Sequence, residues 1–204
     1  MCQLQKNTKK RKKWQLSSCG ASYQKLQASI EFLVEIDEYD ITTWKVGLTP
    51  SVLHEALRRD LITWSTQTKH PPVVLLELSF PKDTPHSPPF VRVVRPRFVY
   101  HTGHVTIGGS ICTEMLTAAG WREMSVETLL RTICLLLADA EPAARVQMKP
   151  DMHCATPLVD YTLHEAKLAF DRQLATHGWK AQASEAGDVK WFSLVSDHVP
   201  SVHA

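Results

Sequence analysis

Val73-Val74-Leu75-Leu76-Glu77-Leu78-Ser79-Phe80 and Phe90-Val91-Arg92-Val93-Val94-Arg95 are two mainly apolar runs rich in Val, Leu and Phe, separated by a connection crowded with Pro81, Pro85, Pro88 and Pro89. Runs of this length and composition read as strands. Proline fixes φ and donates no N–H, so the connection is a rigid loop that excludes a helix. Toward the N-terminus, residues 28–36 and 41–48 alternate or cluster β-branched and aromatic residues around the polar Asp37–Asp40, which predicts a hairpin. After Pro50, the stretch Ser51–Leu61 puts Val52, Leu53, Ala56, Leu57 and Leu61 on one side, as in a short helix or structured insertion. The first half is therefore expected to be a four-stranded antiparallel meander.

Toward the C-terminus the chain is irregular and rich in His, Gly and Thr from Val99 to Gly109, and residues 111–116 form one short turn. A helix follows. Ser125 caps it, Glu127 suits its positive end, and Val126, Leu129, Leu130, Ile133, Leu136 and Leu137 make a stripe that should pack on the sheet. A loop from Asp139 to about Pro157 leads to a last helix, opened by the capping box of Thr162 and Glu165 and closed by His177-Gly178. Leu163, Ala166, Phe170 and Leu174 are its expected buried face. Trp191-Phe192 and Leu194-Val195 stand out in an otherwise weakly periodic end, where they could dock as a strand or turn. The fold class is α+β: an antiparallel sheet packed against helices.

With 204 residues, 44% hydrophobic and 22% charged, the chain reads as one domain with a tail at each end. We expect a basic arm over 1–27, a core over 28–179 and a tail over 180–204. No apolar run approaches the roughly 18 residues needed to cross a bilayer, and Met1–Trp14 is charged, so a soluble cytoplasmic or nuclear protein without a membrane partner is expected. Residues 1–27 hold seven bases and no acid, whereas the remainder holds 16 bases against 21 acids, a net −5. A mildly acidic body does not suit a nucleic-acid-binding domain, whose basic surface is built into the fold. The run Lys9–Lys13 reads as a nuclear address, a contact for nucleic acid or an acidic partner, or a solvated arm.

Five cysteines at irregular spacing, with no CxxC, argue against disulfides and against a structural zinc site. Cys2 and Cys19 lie in the arm, and Cys134 falls in the apolar helical stripe as a small buried hydrophobe. His153-Cys154 lacks the second ligand pair that zinc needs. Cys112 differs, because Gly108-Gly109 before it and Thr113-Glu114 after it suggest an exposed position on a loop.

The order of meander, proline loop, irregular stretch, Ile-Cys, polar turn, Trp, helix, loop and helix resembles the ubiquitin-conjugating enzyme fold, and most of all its Q-type subgroup. The matching pieces are Ser29-Ile30-Glu31 through Trp44-Lys45-Val46, Leu76–Phe80, Pro88-Pro89-Phe90-Val91-Arg92-Val93-Val94, Gly108-Gly109-Ser110-Ile111-Cys112-Thr113-Glu114-Met115-Leu116-Thr117, Gly120-Trp121 and Gly178-Trp179. They span about residues 28–179.

The resemblance implies that Cys112 accepts ubiquitin from an activating enzyme, which spends the ATP, holds it as a thioester, and passes it to a lysine directly or through a ubiquitin ligase. No bound cofactor or metal is implied. A thiol is the most nucleophilic side chain near neutral pH, and its thioester stays open to attack by an amine. Most of the family carries an Asn eight residues before the cysteine, where it can donate to the developing oxyanion. This chain has Thr102-Gly103-His104 there, so His104 is the candidate for oxyanion or loop support, with His101 as the alternative. The loop acid that the family uses on the acceptor side corresponds to Asp139 or Glu141. In the ligase-facing loop a large apolar residue is replaced by His86, with Trp121 beside it in the pattern. A first helix is not clear in residues 1–27. These departures support a rival in which the chain is a catalytically weak or inactive scaffold that binds ubiquitin or a conjugating partner. A cysteine hydrolase using His104 or His101 would need the imidazole within about 3 Å of the sulfur and a third orienting group.

Overall fold

The computed structural model describes residues 18–36 and 40–179. Trp14, the run Lys9–Lys13, Trp191-Phe192 and Leu194-Val195 lie outside them. The sheet is a four-stranded antiparallel meander in the order β1 (Phe32–Ile36), β2 (Thr43–Leu48), β3 (Val74–Ser79), β4 (Phe90–Arg95). Its register aligns Trp44, Leu78 and Val91 in one row and Val46, Leu76 and Val93 in the next. These residues are buried, as are Phe32, Leu48 and Val74. Between them Lys45, Glu77 and Arg92 form a polar row on the other face, as the period of two requires.

Helix α1 (Ser18–Gln27) lies against β1 and corrects the expectation that residues 1–27 form an arm without a clear first helix. Its apolar signal is only Tyr23 and Leu26, too sparse to show a helical period. Leu26 is fully buried, Tyr23 meets the edge of Trp44 at 5.8 Å, and Lys25 pairs with Glu127. Helix α2 (Glu55–Thr68) starts later and runs longer than Ser51–Leu61. Pro50–Val52 is a separate 3-10 turn, and Lys69, at φ 64, ends α2 in the left-handed region. The polar stretch Ser65–Thr68 hid the last turn, although Leu57, Leu61 and Trp64 are buried on one side.

Helix α3 (Val126–Asp139) has the expected cap, with the Ser125 hydroxyl accepting from the Thr128 N–H. Val126, Leu129, Leu130, Ile133 and Leu137 are buried and Leu136 is half-buried. Helix α4 (Leu163–Thr176) opens with the full capping box of Thr162 and Glu165. Its buried residues are Ala166, Ala169 and Gln173, not the expected Leu163, Phe170 and Leu174, which are half-buried. The reason is close approach. A Cβ at Gly108 would collide with the Glu165 carbonyl and the Ala169 methyl, so backbone meets backbone and only small side chains fit between.

Two buried guanidiniums anchor this helix. Arg97 Nη2 donates to both carboxylate oxygens of Glu165 at 2.9 and 3.1 Å, and its Nε donates to the Val159 carbonyl at 2.8 Å. The same guanidinium lies 4.4 Å over the Tyr161 ring, while Arg92 donates to the Tyr161 carbonyl and pairs with Glu77. Burial works to raise the Glu165 pKa, but the Thr162 N–H and the Arg97 charge outweigh it and hold the carboxyl below its usual range. A lowered carboxyl adds stability that is full above the unfolded value of about 4.3 and is lost as pH falls through the folded one. Glu165→Gln is therefore expected to lower stability by about 1–2 kcal/mol at neutral pH and to flatten the decline on acidification, as measured by urea unfolding across pH 3–7.

Candidate active site

Cys112 sits at the end of a small hairpin built on the edge of the sheet. Thr106 N donates to Ser110 O at 2.9 Å, Val105 and Ile111 bridge, and Cys112 N donates to His104 O at 2.7 Å. The hairpin is tied to β4, with Val93 N donating to Gly109 O at 2.7 Å and Ile111 N to Val91 O at 3.4 Å. Gly109 has φ 89, and a Cβ there would meet the Tyr161 ring at 2.7 Å; a side chain is excluded by conformation and by space together. Past the thiol, Thr113 caps the 3-10 turn Glu114–Leu116, which steers the chain away and leaves Cys112 half-buried.

Helix α4 passes alongside and brings in His177 at its C-terminal end. The imidazole Nε2 lies 3.7 Å from the Cys112 sulfur, within reach of a sulfur hydrogen bond. His177 is the helix C-cap, and Gly178, at φ 72, reverses the chain so that the Trp179 indole stacks on the imidazole at 4.4 Å and 20°. Burial pushes the Cys112 thiol above its ordinary value. Cys134 is deeper on α3, and burial pushes it up to about 11, where it is inert at neutral pH.

The structure places the other predicted residues more unevenly. His104 reaches Cys112 through its backbone carbonyl and not through its ring; its imidazole and that of His101 are exposed, and both residues hold left-handed φ values, 55 and 59. His101 packs on Tyr100. Asp139 ends α3 and Glu141 follows, both exposed. Their loop abuts the turn before Cys112, where Gly103 N donates to Pro142 O at 3.1 Å. His86 and Trp121 come together, since Trp121 Nε1 donates to the Pro85 carbonyl at 2.9 Å and His86 pairs with Glu123 at 2.6 Å. Among the described residues no group of three His, Cys, Asp or Glu could hold a metal, and no helix is long and apolar enough to cross a membrane.

His177 escaped the sequence reading because it served there only as a helix terminator. The chain separates it from Cys112 by 65 residues, and no local pattern links them.

A family model described as ubiquitin-conjugating enzyme matches residues 72–156, which include the hairpin and Cys112. A human ubiquitin-conjugating enzyme of the Q-like type is 31% identical over 150 residues, 72% of this chain and 85% of that protein. The chain belongs to the ubiquitin-conjugating enzyme family. A Q-like relative from Drosophila melanogaster is 31% identical over 170 residues, which are 80% of this chain and 51% of that longer protein, so the Q-type affinity carried by the motifs holds. Among solved structures, a Plasmodium vivax ubiquitin conjugating enzyme is 22% identical with a TM-score of 0.44, covering 60% of this chain and all of the other. Family membership and the four-stranded sheet together make this the α+β conjugating-enzyme fold.

Because α4 seats its backbone on Gly108, that glycine sets the distance between His177 and the thiol. Gly108→Ala should push the helix outward, cost on the order of 1–3 kcal/mol by overpacking and slow the reaction of Cys112 with a thiol reagent. Thermal unfolding and timed alkylation of the variant check both effects.

Proposed function

We propose that the protein carries ubiquitin as a thioester on Cys112 and transfers it to a substrate lysine, directly or with a ligase. What supports this is the position of Cys112: a half-buried thiol at the end of a rigid hairpin, beside an imidazole, in a member of this family. The activating enzyme hands over ubiquitin already joined through a thioester. The Cys112 sulfur attacks its carbonyl carbon, a new C–S bond forms, and the activating-enzyme thiolate leaves. A lysine amine then attacks the Cys112 thioester, the amide forms and Cys112 is released. Glu141 and Asp139, on the loop hydrogen-bonded to the Gly103 turn, are the acids best placed to face the incoming amine. His86 is exposed on the proline loop, which the buried Trp121 braces through the Pro85 carbonyl, and it belongs to the surface that a ligase would meet.

Charging with activating enzyme, ATP and ubiquitin, read on a non-reducing gel, tests the proposal. A thiol-sensitive adduct that needs ATP, is lost in Cys112→Ser and survives in Cys134→Ser is expected. No adduct from folded protein would leave the scaffold role, and labelling of Cys112 by a ubiquitin probe without ATP or activating enzyme would point instead to a hydrolase.

A further inference from the structure

The nucleophile alone does not account for the arrangement around Cys112. Conjugation needs a thiolate, yet burial favours the protonated thiol. The structure supplies a compensating group from an unexpected place. His177 Nε2 lies 3.7 Å from Sγ, and this contact has two proton placements: a thiol donating to a neutral imidazole, or an imidazolium N–H donating to a thiolate.

Two features of the fold set the place of the His177 ring. It caps the C-terminal end of α4, where unpaired carbonyls carry partial negative charge. The Trp179 indole lies stacked on the ring at 4.4 Å, and an aromatic face attracts a cation. The stack depends on Gly178, whose φ of 72 lets the chain fold back. One turn earlier on the same face, Gln173 is buried with neither amide atom hydrogen-bonded among the described residues.

We propose that His177 is the general base for Cys112, forming with it a thiolate–imidazolium pair that drives the charging step. The inference rests on the carrier function proposed above. The Cys112 S–H proton moves to His177 Nε2 as the sulfur attacks the carbonyl carbon of the ubiquitin thioester on the activating enzyme. The new C–S bond forms, the old one breaks, and the departing thiolate takes up the proton from His177, which returns neutral. No oxidant, metal or other reactant is needed. The same ring, once neutral, stands beside the thioester to accept the proton that a lysine ammonium must lose before or during attack. His177 is thus a catalytic residue, in the role for which the family resemblance in the sequence singled out His104 and His101.

The other titratable and charged groups on the elements around the pair are His101 and His104 in the preceding turn, Asp139 and Glu141 at the loop against that turn, Glu114 after the thiol, and His164, Glu165, Lys167, Asp171 and Arg172 on α4. None of them hydrogen-bonds to the sulfur, and burial is what moves its pKa.

The test is alkylation of the full chain by iodoacetamide from pH 5.5 to 9, with Cys112 and Cys134 followed separately by peptide mass spectrometry. In the parent protein Cys112 should react at a rate that levels off near neutral pH, while Cys134 stays slow. His177→Gln should slow Cys112 about tenfold or more at pH 7 and move its midpoint upward, and Trp179→Leu should shift it less in the same direction. Fast labelling of Cys134 marks a variant that has lost its fold; the parent profile then decides alone, and a Cys112 rate still climbing at pH 9 overturns the proposal. Identical profiles for the parent and a folded His177→Gln overturn it too. Because alkylation requires no ubiquitin, the two proposals fail separately. A paired Cys112 that never charges would sink the carrier function and keep the pair, whereas charging with unchanged profiles would sink the pair alone.

Discussion

The position of α4 depends on the buried Arg97 guanidinium and what it holds. It binds the Glu165 carboxylate, the Val159 carbonyl and the Tyr161 ring at once. Tyr161 in turn donates its N–H to Val94 O, accepts from the Phe98 N–H through its hydroxyl and fills the space left by Gly109. Burial pushes the Tyr161 hydroxyl up to about 12 although the Phe98 N–H and the Arg97 charge act the other way, so it stays neutral. A charged group taken out of water costs several kcal/mol unless its hydrogen bonds are met, and here Nε and Nη2 of Arg97 have fixed acceptors in Val159, Asp160 and Glu165. The result is directional. The start of α4 can sit in only one place on the sheet edge, and a 14-residue helix then projects its other end about 20 Å away, beside Cys112.

The sheet contributes the second fixed point. The meander buries Trp44, Val46, Leu76, Leu78, Val91 and Val93 under α2 and α3 in one continuous core, and the Cys112 hairpin is an extension of its β4 edge. The thiol is therefore placed from the sheet and the imidazole from the helix. The two supports meet at Gly108, where the absence of a side chain allows the contact.

What could be read from the sequence was what local rules encode. Strand β4 falls on the expected residues 90–95, and the caps of α3 and α4 depend on residues three positions apart, so Ser125 and Thr162 announce them. Helix α1 went unrecognised because Tyr23 and Leu26 are its only large apolar side chains, and their value comes from Trp44 and the core, far along the chain. The face of α4 was misjudged for a related reason: Leu163, Phe170 and Leu174 outrank Ala166 and Ala169 on hydrophobicity, but the backbone approach at Gly108 selects for small size. The site divides the same way. Cys112 has a recognisable local context of glycines and polar neighbours, whereas His177 acquires its meaning only when a helix anchored 12 residues earlier lays it beside a sulfur 65 positions back.

Two of the described thiols, Cys112 and Cys134, stand in different surroundings within one fold. Cys134 lies within α3 against the apolar cluster, and burial, partly offset by Arg131, pushes it up to about 11. At pH 7 that leaves roughly one molecule in ten thousand as thiolate. Cys112 is subject to the same desolvation, but its sulfur stands at the rim of the fold with a ring nitrogen in reach. Full exposure would favour the thiolate and leave a thioester open to water, while full burial would protect the thioester and deny the attacking amine a path. For a carrier of the kind proposed, half-burial beside an imidazole would meet both demands, so the position of this cysteine at the end of a hairpin, and not merely its presence, would give the site its chemistry.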